Sequence, residues 1–147
     1  MWTQNQILLT AKSRGFHLIT TEIIDALPIL NTIECGLLHL FVKQTSASLI
    51  INENANPAAN QEFVMPFDES EPEKSPYDQY DYDKNDKMSI YLKNCLLGSS
   101  VSIPITHGEL NLGIWQGIYL YEHHKLGAKR SLVATILGQS MPLKNSA

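Results

Sequence analysis

Hydrophobic and polar positions alternate from Thr3 to Ala11 and again from Phe16 to Thr20, with a break at Ser13-Arg14-Gly15. A period of two belongs to a strand with one buried face, so the chain is expected to open with a hairpin. The period then changes. In TTEIIDAL, Ile23, Ile24 and Leu27 fall on one side of a short helix that Thr20 or Thr21 can cap and Pro28 closes. CGLLHLFVK at 35–43 is apolar and too short for a typical helix, and SLIIN at 48–52 is rich in β-branched residues, so both predict strands. A second helix is expected over Pro57 to Val64, stopped by Pro66. In KMSIYLKNCLLG, with Asp86 as its cap, Met88, Tyr91, Leu92, Cys95 and Leu96 recur at helical spacing, and Gly98 supplies the stop. Their stripe is expected to face the core.

The last third turns back to strands: SVSIPI, a turn near Thr106-His107-Gly108, a short ELNLG, IWQGIYLYE and SLVATILG. Strands clustered around a few helices, with no regular βαβ alternation, predict an α+β fold of mainly antiparallel packed sheets with two or three short helices. Residues 1–138 read as one domain and 139–147 as a frayed tail.

Composition narrows the function. The chain has 147 residues, enough for about one domain. Its net charge of −4 is unevenly spread: residues 68–86 carry eight acids and two lysines, hence −6, which leaves +2 on the other 128 residues. No basic stripe suited to a phosphate backbone remains, so nucleic acid is not an expected partner. Met1 to Gly15 lacks a basic start followed by a long apolar stretch, and no apolar run approaches a membrane span, so a cytoplasmic protein without membrane contact is expected. Two cysteines, Cys35 and Cys95, are too few for a disulfide scaffold and are expected to be unpaired and buried. Residues 67–86, with Pro72, Pro76 and the run YDQYDYDKND, read as a long acidic loop.

Phosphate-loop, paired-glycine, CxxC, HExxH and GxSxG patterns are absent, so motif scanning gives no enzyme class. Polar clusters set within apolar sequence remain: Gln44 to Ser48, Asn52-Glu53-Asn54, Gly113 with Trp115-Gln116-Gly117, and Glu122 at a strand end. Such residues either cap and bridge a fold or line a pocket. Among the histidines, His39 reads as a hydrogen-bonded structural residue, His107 as a turn residue, and His123-His124 as a surface pair. Glu53, Asp81 and Glu122 could hold Mg²⁺ or Ca²⁺ if the fold brought them together.

The strings GLLHLF, QTSASLIINEN, LLGSSVSIPITHGELNLG, WQGIYLYEH and KRSLVATILG, in this order, resemble the YjbQ family over residues 1–138. That resemblance implies packed sheets, a compact homotrimer, a polar pocket near subunit boundaries and a weak thiamine-phosphate synthase activity. Such a transferase joins a pyrimidine pyrophosphate to a thiazole phosphate and ordinarily uses a divalent ion on the leaving pyrophosphate. The family's usual pocket histidines are replaced in this sequence by Gln44, by Tyr80 or Gln79, and by Tyr91. Neutral imidazole binds transition metals and titrates near neutrality, whereas an amide or a protonated phenol does neither well. No metal site is therefore assigned. The resemblance places Glu53 and Asp81 as catalytic candidates and Gln44, Thr45, Ser46, Asn54, Tyr91, Trp115 and Gln116 as ligand-binding candidates. Three readings follow: a transferase of this family, a metabolite-binding pseudoenzyme, or an interaction protein that docks a partner through the acidic loop.

Overall fold

A computed structural model of the chain describes residues 1–54, 90, 92–125 and 127–143. The strands, in chain order, are β1 (Trp2–Leu9), β2 (Gly15–Leu18), β3 (Ile33–Val42), β4 (Ala47–Glu53), β5 (Ser100–Thr106), β6 (Glu109–Leu110), β7 (Gln116–Glu122) and β8 (Arg130–Ser140). Helix α1 (Thr20–Ala26) and a 3₁₀ turn (Pro28–Thr32) lie between β2 and β3, and residues 92–97 are helical before β5. The architecture is α+β, with a five-stranded sheet in the order β1-β8-β3-β5-β6 and a three-stranded sheet in the order β2-β7-β4. All ladders among the described strands are antiparallel.

The two sheets pack face to face around one apolar core. Leu38, Leu40, Ile103, Leu132 and Ile136 come from the larger sheet, Leu49, Ile118 and Leu120 from the smaller one, and Ile23, Leu27 and Leu30 close one side. The larger sheet alternates strictly along β8, where Arg130, Leu132, Ala134 and Ile136 are buried and the residues between them are not. The smaller sheet does not alternate. Tyr119, Leu120 and Tyr121 in succession are buried, so both of its faces are covered.

The expected opening hairpin does not form. β1 pairs with β8 in the larger sheet and β2 pairs with β7 in the smaller one. Alternation shows that a segment is a strand but not which strand it pairs with, and β8 gives all eight residues of β1 a partner where β2 has only four residues to offer. Residues 10–14 therefore cross between the sheets beside the β7–β8 crossover. The two crossovers meet where Gly127 lies against the Lys12 backbone, with no room for a side chain.

Several smaller corrections have physical causes. Helix α1 starts at Thr20 rather than after a Thr20 or Thr21 cap, and Ile19 is its cap residue, with no side-chain capping bond. The Thr20 hydroxyl instead accepts a hydrogen bond from the Ile118 amide at 2.9 Å, tying α1 to β7. Helix 92–97 ends at Gly98, whose φ of +89° and amide bond to the Asn94 carbonyl match the expected stop. Its buried side is Ile90 and Lys93, while Leu92, Cys95 and Leu96 point outward. Periodicity reveals that a helix has an apolar stripe but not that the core of the same chain covers it. Asp86, Met88, Tyr91 and the expected helix at 57–64 lie outside the described residues. β6 keeps only two residues of ELNLG, and β8 runs to Ser140, past the expected start of the tail.

Cys35 and Cys95 are free thiols, and both are exposed rather than buried. Cys35 lies on β3 of the larger sheet and Cys95 on the helix that packs on the smaller one. Titration of denatured, non-reduced protein should find two thiols per chain; finding none would show a disulfide and contradict this placement.

Candidate functional site

Strands β4 and β7 carry most of the residues singled out by the sequence, and their ladder separates those residues into two groups. Ala47 pairs with Glu122 at one end and Glu53 with Gln116 at the other. Six strand steps of about 3.3 Å put roughly 20 Å between the ends.

At the first end, β3 stops at Val42, and Gln44 lies beyond the strand. Its amide instead spans toward β8: Oε1 accepts from the Ser131 amide at 3.2 Å, and Nε2 donates to the Lys129 carbonyl at 3.4 Å. Thr45 is exposed and Ser46 half-buried. Ser46 Oγ accepts from Arg130 Nη1 at 2.6 Å, and its carbonyl accepts from Arg130 Nη2 at 3.3 Å and from the His123 amide at 3.1 Å. Arg130 Nε also donates to Glu122 Oε2 at 2.7 Å, and Nη2 reaches Glu122 Oε1. This paired fork is shut off from solvent, with Glu122 0% and Arg130 3% exposed. A guanidinium matches a carboxylate in this geometry and neutralises it.

The opposite end is open. Glu53, Asn54, Trp115 and Gln116 are all exposed there. The Asn54 amide donates to the Trp115 carbonyl at 2.6 Å, and the Tyr119 hydroxyl donates to the Glu53 carbonyl at 3.0 Å. Gln116 Oε1 accepts from the Gly113 amide at 2.7 Å, which fixes the turn that presents Trp115. Glu53 and Trp115 thus stand exposed on a hydrogen-bonded backbone, and the Asn54 side chain lies beside Gly117 of β7. Asp81 and Tyr91 lie outside the described residues, as do Tyr80 and Gln79.

The proposed convergence of carboxylates is not met. Glu53 and Glu122 stand at opposite ends of the ladder, and Glu122 is already occupied by Arg130. Among the described residues no three histidine, cysteine or carboxylate side chains gather as metal ligands.

A buried polar cluster on the smaller sheet escaped the sequence reading. Ser48 Oγ lies 2.7 Å from His123 Nε2, and both residues are fully buried. Asn94 Nδ2 donates to Ser48 Oγ at 3.2 Å and to the Ala47 carbonyl at 2.9 Å, tying the helix at 92–97 to β4. Tyr121 stacks obliquely between Phe16 and the His123 ring, with centroids 4.3 and 4.6 Å away. The expected surface pair is therefore split, His123 inside and His124 exposed. The continuous apolar run GIYLY was the available signal, because a strand without alternation has two covered faces. The other two expectations hold: His39 Nδ1 lies 3.0 Å from Ser102 Oγ, and His107 turns the chain between β5 and β6 with a φ of +49°. A groove of about 350 Å³ between α1, the 3₁₀ turn and β6 is lined by Leu27, Leu30 and Leu110 and contains none of the candidate residues.

Sequence comparison matches residues 5–139 to the family described as UPF0047 protein YjbQ-like. The YjbQ protein of Salmonella typhimurium is 44% identical over 139 residues, covering 95% of this chain and all of that one. The YjbQ protein of Escherichia coli O157:H7 is 40% identical over the same coverage. Among solved structures, a YbjQ-like protein of unknown function from Sulfolobus solfataricus superposes with a TM-score of 0.79 at 22% identity, covering 95% of this chain and 99% of the other. A yjbq/upf0047 family protein from Clostridium acetobutylicum gives 0.75 at 27% identity, covering 92% and 99%. The chain belongs to the YjbQ family. No helix among its described residues is long and apolar enough to cross a membrane.

Proposed function

We propose that this member of the YjbQ family is a cytoplasmic metabolite-binding protein whose small-molecule pocket is completed between the subunits of a homotrimer. The observation that carries the reading is the division of the candidate residues between the two ends of the β4–β7 ladder. One chain cannot bring Gln44, Thr45 and Ser46 to Glu53, Asn54, Trp115 and Gln116 across about 20 Å. Two copies meeting end to opposite end can, and a head-to-tail contact of this kind closes into a three-membered ring when it turns each copy by a third of a circle. At the open end Glu53 and Asn54 would orient polar groups of the ligand, with Trp115 as an aromatic wall.

Binding without efficient turnover is favoured over thiamine-phosphate synthase-type transfer. Gln44, where the family resemblance leads one to expect a histidine, has both amide atoms engaged by backbone, and Ser46 is held by Arg130. Neither is free to move a proton at the reacting centre. The docking role of the acidic loop 68–86 rests on residues outside those described.

The test is intersubunit cross-linking. In a Cys35→Ser, Cys95→Ser background, Thr45→Cys with Trp115→Cys should give covalently linked trimers with a short bis-maleimide, near three times the 16.5 kDa of the chain. Each single variant should give only monomer on denaturing gels. Monomer alone from the double variant would overturn the composite pocket. Native mass spectrometry of the wild type should show a small molecule retained on the trimer, and a bare trimer that forms thiamine phosphate from the two precursors would favour the transferase instead.

A further inference from the structure

The groove between α1, the 3₁₀ turn and β6 has apolar walls and a single carboxylate. Ile24, Leu27, Leu30, Leu110 and Leu112 surround about 350 Å³, and Glu109 is the only charged side chain lining it among the described residues. Glu109 also has no ion-pair partner among those residues. A site of this kind fits an occupant that brings one aliphatic group and one cation.

β8 leads to the rim of this groove. Past its end at Ser140, the Met141 amide donates to the Thr32 carbonyl at 2.8 Å, so the chain continues beside the 3₁₀ turn. The Met141 methyl lies 3.1 Å from the place of a Cβ on Gly108, and the Asn31 carbonyl oxygen lies 3.2 Å from the same point. Gly108 and Asn31 both line the groove, whereas Pro142 lines a different hollow with Glu34. Side chains alternate along an extended segment, so Leu143 returns to the side of Met141. Leu143 is 95% exposed, the highest value among the exposed large apolar side chains. Lys144 follows it and is the one charged side chain in residues 141–147.

We infer that residues 143–147 form a strap for this groove, with Leu143 anchored between the leucine walls and the Lys144 ammonium set against Glu109. Two residues of extended chain span about 7 Å, so the anchor starts within reach of the rim that Met141 already touches. Closure is finely balanced. Burying one leucine and fixing the backbone of one or two residues involve free energies of the same order and opposite sign. Pro142 has its φ set beforehand, which leaves little more than Leu143 and Lys144 to be ordered. The strap therefore exchanges between the open form, with Leu143 in water, and a closed form that fills the groove and denies it to other apolar ligands. The match to the YjbQ family ends at residue 139, before this segment begins. The groove shares no residue with the pocket proposed on β4 and β7, so the strap stands or falls independently of that pocket.

Methyl NMR of the full chain and of a chain stopped after Pro142 tests the strap. The full chain should show a contact between the Leu143 and Leu110 methyls. Stopping at Pro142 should shift the methyls of Leu27, Leu30 and Leu110 while those of Leu49 and Leu120 stay in place. Lys144→Glu should lower the closed-to-open ratio roughly fivefold, moving the groove methyls toward their positions in the shortened chain. Lys144→Glu combined with Glu109→Lys should move them back. Identical groove spectra from the full and shortened chains would overturn the inference, as would shifts that follow protein concentration in both, the mark of a second copy in the groove. Wild-type shifts in the Lys144→Glu chain would equally overturn it. Should the shortened chain fail to fold, Leu143→Asp in the full chain gives the same comparison.

Discussion

Arg130→Met should destabilise the fold by about 3–5 kcal/mol, since removing one partner of a buried ion pair leaves the other as an uncompensated charge. Glu122 has no exposure to water, and its two oxygens face the guanidinium. The pair joins β7 of the smaller sheet to β8 of the larger one, so the stranded carboxylate would lie between the two layers. Ser46 would lose its side-chain donor at the same time. Urea unfolding followed by circular dichroism measures the effect, and the double variant Glu122→Leu/Arg130→Met should recover most of it, because two apolar groups of similar size leave no uncompensated charge, only neutral groups such as the Ser46 hydroxyl giving up a bond. A single variant within about 1 kcal/mol of the wild type would mean that water reaches Glu122 and that the residue is open to a ligand after all.

That pair changes how the sequence reads. Glu122 ends a strand within a recognisable family string, and from sequence it could equally be a pocket carboxylate or a structural anchor. Its role is decided by Arg130, eight residues on and across a sheet boundary, and no local pattern encodes that contact. The same limit explains the missing hairpin. Alternation in Thr3 to Ala11 and Phe16 to Thr20 identified β1 and β2, but their partners are set by the length and register of β8 and β7.

Faces were harder to read than elements. The helix before β5 was identified with its stop at Gly98, yet its apolar stripe of Leu92, Cys95 and Leu96 looks outward while Ile90 and Lys93 are covered. The outer face of the larger sheet behaves alike: Leu37, Phe41 and Leu137 read as ordinary strand residues and are exposed. Apolar periodicity marks a stripe whether or not the core of the chain covers it, and so overstates that core. The candidate site was legible as a set of residues, since Glu53, Asn54, Trp115 and Gln116 do gather at one strand end. Its separation from Gln44, Thr45 and Ser46 was not, because the distance between the groups follows from the β4–β7 register.

The glycines of the larger sheet show the same dependence on register, and they carry the second large effect. Gly36 on β3 and Gly138 on β8 stand directly opposite each other, next to the irregularity at Ile33 and Cys35. A Cβ at residue 36 would come within 2.5 Å of the Leu137 carbonyl oxygen and 2.8 Å of the Gly138 Cα. Both obstacles are backbone, so no side chain can rotate out of the way. β3 and β8 are interior strands of the sheet, and moving them apart also disturbs the β1 and β5 ladders on either side. Gly36→Ala should therefore cost about 2–3 kcal/mol, at the upper end of what overpacking usually takes. Gly98→Ala is the informative contrast. Gly98 has a φ of +89° with nothing near the place of a Cβ, so only the left-handed backbone penalty of about 1–2 kcal/mol applies there. Thermal unfolding of the two variants beside the wild type tests the order. If Gly36→Ala proves no more harmful than Gly98→Ala, the β3–β8 ladder can open at this point without strain, and the close approach of the two glycines is not what holds the strands in register.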